Sequence, residues 1–196
     1  MWNKIQRVYI WQDIVYWTLE YTYDFRNKTR AQVEADWWTV GSGYTFDANW
    51  MGNSNQWTAV YASLPLHFTN AKKITYTAWL YNANSMNCSL WTLVSTGYST
   101  SLIYSWRTAD GRVTIQLDGT EIVKLTWISN PSGQTSWTYT LDLKNKLWDF
   151  VYNTITRSWS MTQTNVENIR NGTIGAGLFA EYWTWRIQYI KMIVEH

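Results

Sequence analysis

Cysteine is all but missing from this 196-residue chain: Cys88 stands alone, so no disulfide can close within it and a small, oxidatively stapled scaffold is excluded. Histidine is as scarce. His67 and His196 are far apart in the sequence and no cysteine or acid sits near either at zinc-ligand spacing, which argues against transition-metal chemistry. Charged residues make up 15% of the chain, and no basic run exceeds Lys72-Lys73. A formal net charge of +2 spread this thinly offers no phosphate-binding stripe, so nucleic acid is not expected as a partner. No apolar run is long enough to span a bilayer. The opening "WNKIQRVYI" lacks the basic, apolar and cleavage regions of a secretion signal, so an extracellular location would be reached without a classical one.

What is present is a period of two. Thr, Val, Ile, Tyr and Trp alternate with polar residues along most of the chain, and the breaks are rich in Asn, Gly and Ser. The class is all-β, and the length suffices for one substantial core. "KIQRVYIWQDIVYW" reads as two short strands, an N-terminal docking hairpin or arm over residues 1–17, and a sandwich domain follows over 18–196. One short helix is expected, because Thr29 and Gln32 in "NKTRAQVEADWW" have the spacing of a capping box. "TVGSGYTFDANWMGNSNQW" reads as loop. From "KKITYTAWLYN" onward the chain reads as hairpins, with reversals at Asp110-Gly111, Asp118-Gly119 and Lys144-Asn145-Lys146. The closing "WTWRIQYIKMIVE" reads as a strand that alternates throughout. Roughly a dozen strands need two packed sheets, so the expected fold is a two-sheet antiparallel β-sandwich with jelly-roll connections.

In "KITYTAWLY" the side chains of Ile74, Tyr76, Ala78 and Leu80 share one face, which is core. Thr75, Thr77, Trp79 and Tyr81 share the other, pairing hydroxyls with amphipathic aromatics. Sixteen Trp and fourteen Tyr against five Phe make this the chain's strongest compositional bias, and it favours rings that carry a polar handle. Several tryptophans stand where a turn favours glycine, as in "EADWWTV" after Asp36 and "YIWQD" around Trp11. One reading is that some of these codons specify glycine in the source's genetic code, through a reassigned stop codon. The intact mass of the native protein decides it.

The order "YDFRNKT…ADWW", "KKITYTAWLYN", "DGRVTIQLDGTEI", "WTYTLDLKNKLWDFVYN" and "RIQYIKMIVE" resembles the concanavalin-A-like lectin and glucanase superfamily in its laminin-G-like form, over residues 18–196. The N-terminal "MWNKIQRVYI" ahead of a compact lectin-like domain also looks like small tail- or fibre-associated proteins of bacteriophages. The superfamily likeness implies aromatic plates that stack on sugar rings. Trp79, Tyr81 and Trp91 are the expected plates, with Arg107 and Glu181 as hydroxyl partners; burial in the core is the competing role for any Trp.

The resemblance also raises catalysis and calcium. Glycosidases of the superfamily carry Glu-x-Asp-x-x-Glu; here Glu34-Ala35-Asp36 is followed by Thr39 in the third position, and Glu34 falls in the expected helix. No enzyme is therefore expected, although acids from separate strands, such as Asp142, Asp149 and Glu181, are the alternative for a glycan-degrading relative. Calcium-binding relatives use Asp and Asn oxygens, which Asp47 and Asn49 supply, but two oxygens do not make a site and turn capping accounts for both. No cofactor is expected. The expected function is a non-enzymatic virion structural or adhesion protein, multimeric on a particle, binding bacterial surface polysaccharide or other virion proteins. A purely structural component without sugar binding is the third option.

Overall fold

The computed structural model describes the backbone at residues 2–10, 13–53, 58–81, 86–91, 101–107, 113–117, 120–125, 134–152, 155–171, 173–180 and 185–196, and the side chains at 17–52, 68–79, 136–151, 156–171 and 186–196. Among the described residues the elements are β1 (Trp2–Ile10), β2 (Asp13–Asp24), α1 (Arg30–Ala35), β3 (Trp38–Val40), β4 (Tyr44–Phe46), β5 (Met51–Asn53), β6 (Thr58–His67), β7 (Lys73–Tyr81), β8 (Met86–Trp91) and β9 (Ser101–Arg107). They continue with β10 (Val113–Leu117), β11 (Thr120–Leu125), β12 (Gln134–Asp142), β13 (Leu147–Tyr152), β14 (Ile155–Ser160), α2 (Gln163–Asn171), β15 (Thr173–Ala180) and β16 (Trp185–Glu195).

Two antiparallel sheets result, as the period of two requires. One runs β1-β2-β16-β7-β12-β13-β14, with β5 also paired to β16 and β4 to β5; the other runs β11-β10-β9-β8-β15-β6-β3. The alternation in β7 is realised: Ile74, Tyr76 and Ala78 are buried. They join Tyr21 and Tyr23 of β2, Trp137, Tyr139 and Leu141 of β12, Trp148 and Phe150 of β13, and Ile190, Met192 and Val194 of β16 on the inner face of the nine-stranded sheet. Each fully buried Ile, Leu, Val, Phe or Met side chain among them contributes about 1.5–3 kcal/mol by leaving water. Across the sandwich, Trp38 of β3 packs its ring centre 5.1 Å from that of Phe25 and 5.1 Å from that of Tyr23.

β1 pairs with β2 from Trp2–Tyr21 to Ile10–Asp13, and β16 pairs with β2 over Thr18–Asp24. The first two strands thus extend the nine-stranded sheet, and β2 runs unbroken through residues 17 and 18. Three short strands, β3 to β5, occupy the stretch expected to be loop.

The capping box is present: Thr29 Oγ1 accepts from the Gln32 amide, and the Gln32 side chain accepts from the Thr29 amide at 2.8 Å. A second helix, α2, corrects the expectation of one. Its N-terminus uses the same reciprocal device with asparagine in place of glutamine, since the Thr162 amide donates to Asn165 Oδ1 at 2.9 Å and the Asn165 amide donates to Thr162 Oγ1 at 3.1 Å. Val166 and Ile169, one turn apart, are the helix's buried residues.

β16 also departs from strict alternation. Ile187 is buried, yet the next buried positions are Ile190, Met192 and Val194, so the parity flips between Ile187 and Tyr189. A β-bulge at Gln188 causes this, and the extra residue's carbonyl accepts from the Phe25 amide at 2.8 Å. The bulge turns Tyr189 outward.

Candidate functional site

The outer face of the nine-stranded sheet is polar and ordered. Opposite Thr77 of β7 stand Lys191 of β16 and Thr138 of β12; opposite Thr75 stand Ile193 and Thr140. The Thr77 and Thr138 hydroxyls share a hydrogen bond at 3.1 Å, and Lys191 pairs with Glu20 of β2 at 2.9 Å. Hydroxyls and the Lys191–Glu20 pair, interspersed with Ile193, Val151 and Asp149, cover much of the described part of this face.

At one end of it the character changes. Trp79 lies opposite Tyr189, and the two rings stack with centres 4.1 Å apart and planes within 15°. The Arg26 guanidinium lies 5.7 Å from the centre of the Tyr189 ring, and its Nε donates to Asp24 Oδ1 at 2.9 Å. The Arg26 hydrogen bonds hold the Asp24 carboxyl below its usual range, so it is ionised, and partial burial raises the Tyr189 phenol, so it stays protonated. On the other flank of Trp79, β12 places Ser136 directly opposite. The local order across the strands is therefore Arg26, Tyr189, Trp79, Ser136.

Two of the expected site residues, Trp79 and Tyr81, belong to β7 in this region, and two, Trp91 and Arg107, belong to the other sheet. Trp79 is half-buried on the outer face of β7. Tyr81 ends the same strand opposite Arg186, with its side chain outside the described residues. Trp91 and Arg107 belong to the seven-stranded sheet, where Trp91 pairs with Ser101 at one end of the β8–β9 ladder and Arg107 with Met86 at the other; their side chains also lie outside the described residues. Glu181 lies outside them altogether. Sequence reasoning missed Tyr189, Arg26, Asp24 and Ser136, because strand neighbours and the bulge are not local properties.

Of the acids considered for catalysis or metal binding, Glu34, Asp36, Asp142 and Asp47 have local partners. Glu34 pairs with Arg30 at 3.2 Å, one turn away on α1. Asp36 accepts from Lys28 Nζ at 2.7 Å and from the Tyr23 hydroxyl at 2.8 Å; Lys28 is the main reason its carboxyl lies low. Burial and the Asp36 contact together raise the Tyr23 phenol. Asp142 is pushed up by burial but more strongly held down by its Asn145 and Lys144 hydrogen bonds, which close the β12–β13 turn. Asp149 lies half-buried on the outer face opposite Thr140 and Ser158. Asp47 Oδ1 accepts from the Asn49 amide at 2.7 Å and the Trp50 amide at 2.8 Å, which caps the β4–β5 turn. That oxygen is committed to the backbone, and no group of three His, Cys, Asp or Glu among the described residues has metal-binding geometry. Among the described residues, Asp47 and Asn49 do not make a calcium site.

No family model and no curated protein sequence matches the chain. Solved structures do. The Emp46p carbohydrate recognition domain in its potassium-bound form is 10% identical, with a TM-score of 0.63 over 86% of this chain and 94% of that one. The CBM2 module of the evolved Dit of Lactobacillus casei BL23 phage J-1 is 9% identical, with a TM-score of 0.63 over 90% and 96%. Peanut lectin is 8% identical, with a TM-score of 0.64 over 90% and 97%. At these identities the likeness is one of fold, and the chain shares a two-sheet, all-β sandwich architecture with these lectin-type domains.

Proposed function

We propose that this chain is a non-enzymatic, lectin-like glycan-binding domain displayed on a virus particle, where many copies engage bacterial surface polysaccharide. The observation that carries the reading is the Trp79–Tyr189 stack standing on a sheet face rich in hydroxyls beside the Lys191–Glu20 pair. An indole beside hydroxyl donors and acceptors suits a sugar ring, whose C–H face packs on the plate while its hydroxyls replace water. The fold shared with a carbohydrate recognition domain and with a module of a phage Dit supports the glycan and the particle parts respectively. Single contacts of this kind are weak, and display in many copies multiplies them. The test is binding to an array of bacterial cell-wall and capsular glycans with the protein presented multivalently and Trp79→Ala alongside. Binding that Trp79→Ala abolishes while it keeps its fold supports the proposal; binding that survives the substitution moves the site elsewhere.

A further inference from the structure

Building on the glycan-binding reading, we infer that the sugar enters a slot on the β12 side of Trp79, floored by Ser136 and Thr138, and that the slot takes a single uncharged pyranose ring. Tyr189 and Trp79 face each other on adjacent strands with ring centres 4.1 Å apart, close to the strand spacing of about 4.8 Å. The stack therefore runs along the hydrogen-bonding direction of the sheet, with both rings upright. Tyr189 occupies one face of the indole. The other turns toward β12, where Ser136 is too short to cover it and Thr138 is the next outer-face residue.

Among the described residues beyond the floor, the outer-face side chains are short. Val151 of β13 lies opposite Thr138, and Thr156 of β14 lies opposite Val151. About 9–10 Å, two strand spacings, separate the β7 and β13 backbones, which is room for one ring stacked on the indole. Ser136 brings a hydroxyl that both donates and accepts, and the Thr138 hydroxyl, which shares one hydrogen bond with Thr77, adds its remaining capacity for the sugar's edge hydroxyls. Among the described residues, no charged side chain forms the wall or the floor. Asp24 and Arg26 lie behind Tyr189 and compensate one another.

The same geometry gives Arg26 and Tyr189 a role at a distance. Phe25 is fully buried, and its amide holds the bulge carbonyl of Gln188; the bulge turns Tyr189 outward, and Arg26, next in sequence, closes over the ring. Arg26 and Tyr189 are positioning residues that keep the indole upright.

The experiment uses the full chain presented multivalently on polymers bearing neutral glucosyl, galactosyl, mannosyl or N-acetylglucosaminyl groups, and on one bearing glucuronyl groups. Ser136→Phe fills the slot without touching the core and is expected to weaken binding to the preferred neutral polymer by about tenfold or more, as blocking a central contact does. Ser136→Ala, which keeps the slot open, is expected to cost only about two- to threefold, the loss of one exposed hydrogen bond. Tyr189→Ala is expected to weaken binding and Tyr189→Phe to restore it, with circular dichroism unchanged in each. If the wild type binds a glycan and Ser136→Phe binds it equally well, the slot is wrong and the glycan reading stands. Binding to the glucuronyl polymer alone overturns the uncharged ring. If the wild type binds none of these polymers and no glycan on the bacterial array, both the slot and the reading beneath it fall.

Discussion

Replacing Trp37 by glycine is expected to raise the stability of the fold. α1 ends at Ala35 with Asp36 as its C-cap, and Trp37, the next residue, has φ of 70° while its amide donates to the Glu34 carbonyl at 3.1 Å. This is the left-handed position at which helices most often place glycine. Any residue with a Cβ sits there at a cost of about 1–2 kcal/mol. The indole is 86% exposed, so little burial offsets that cost. Glycine would relieve it, and the greater freedom of glycine in the unfolded chain would return about 0.4–1 kcal/mol of the gain. The net is a stabilisation of roughly 0.5–1 kcal/mol, which for a domain of this size raises Tm by about 1–4 °C. Thermal unfolding of the wild type, Trp37→Gly and Trp37→Ala measures it. The alanine variant removes the indole and keeps the backbone penalty, so its Tm should stay near that of wild type. A glycine variant that melts below wild type would refute the reasoning, since it would show the indole making a contact worth more than the strain. The same position is where a glycine-specifying codon would leave its mark, and the intact mass of protein purified from its natural source tests that directly.

Other outcomes follow from the same packing. Trp148 is fully buried and stacked on Trp159 with ring centres 4.4 Å apart, so Trp148→Ala should lose about 3–5 kcal/mol in denaturant unfolding; a loss below 1 kcal/mol would contradict its place in the core. Thr29→Ala removes the α1 cap and should cost about 1 kcal/mol, read as a lower urea midpoint at unchanged slope. His196 lies flat on Trp17 with ring centres 3.5 Å apart, and both its ring nitrogens are buried without hydrogen-bond partners. Burial, and then the charge of Lys72, lower its pKa in the fold. The unfolded chain therefore takes up the proton first, and stability should decline as pH falls below about 6.5, where unfolded histidine titrates. His196→Phe keeps the stack and should flatten that decline between pH 5 and 7. Asp24 and Asp36, both held low, lose their contributions only further down, below about pH 4, where unfolded carboxyls protonate.

Much of this architecture is legible in short-range patterns. The buried face of β7 follows from alternation alone, and α1 follows from Thr29 and Gln32 three residues apart. The Lys144-Asn145-Lys146 reversal is realised with Lys146 at φ of 55°, and Leu117 pairs with Thr120, while Asp118-Gly119 and Asp110-Gly111 lie outside the described residues. What could not be read is what depends on distant partners. α2 presents two buried side chains among polar ones and an asparagine where its capping box would advertise itself with Glu or Gln, so its signal is faint. In β16 the bulge at Gln188 is stabilised by Phe25, more than 160 residues earlier in the chain, and no window of local sequence contains both. The candidate site suffers most from this. Trp79 is visible from its own strand, but Tyr189 and Ser136 become its neighbours only through the strand order, and that same order places Trp91 and Arg107 in the other sheet.

The central claim is that the outer face around Trp79 recognises glycans, and the most direct measurement is array binding of the multivalent wild-type protein beside Trp79→Ala, with unfolding curves for both. The account predicts specific binding by the wild type, its loss in Trp79→Ala, and unfolding free energies that agree within about 1 kcal/mol, because a half-buried outer-face ring contributes little to the core. Equal binding by both proteins, or no binding by a folded wild type across cell-wall and capsular glycans, would contradict it.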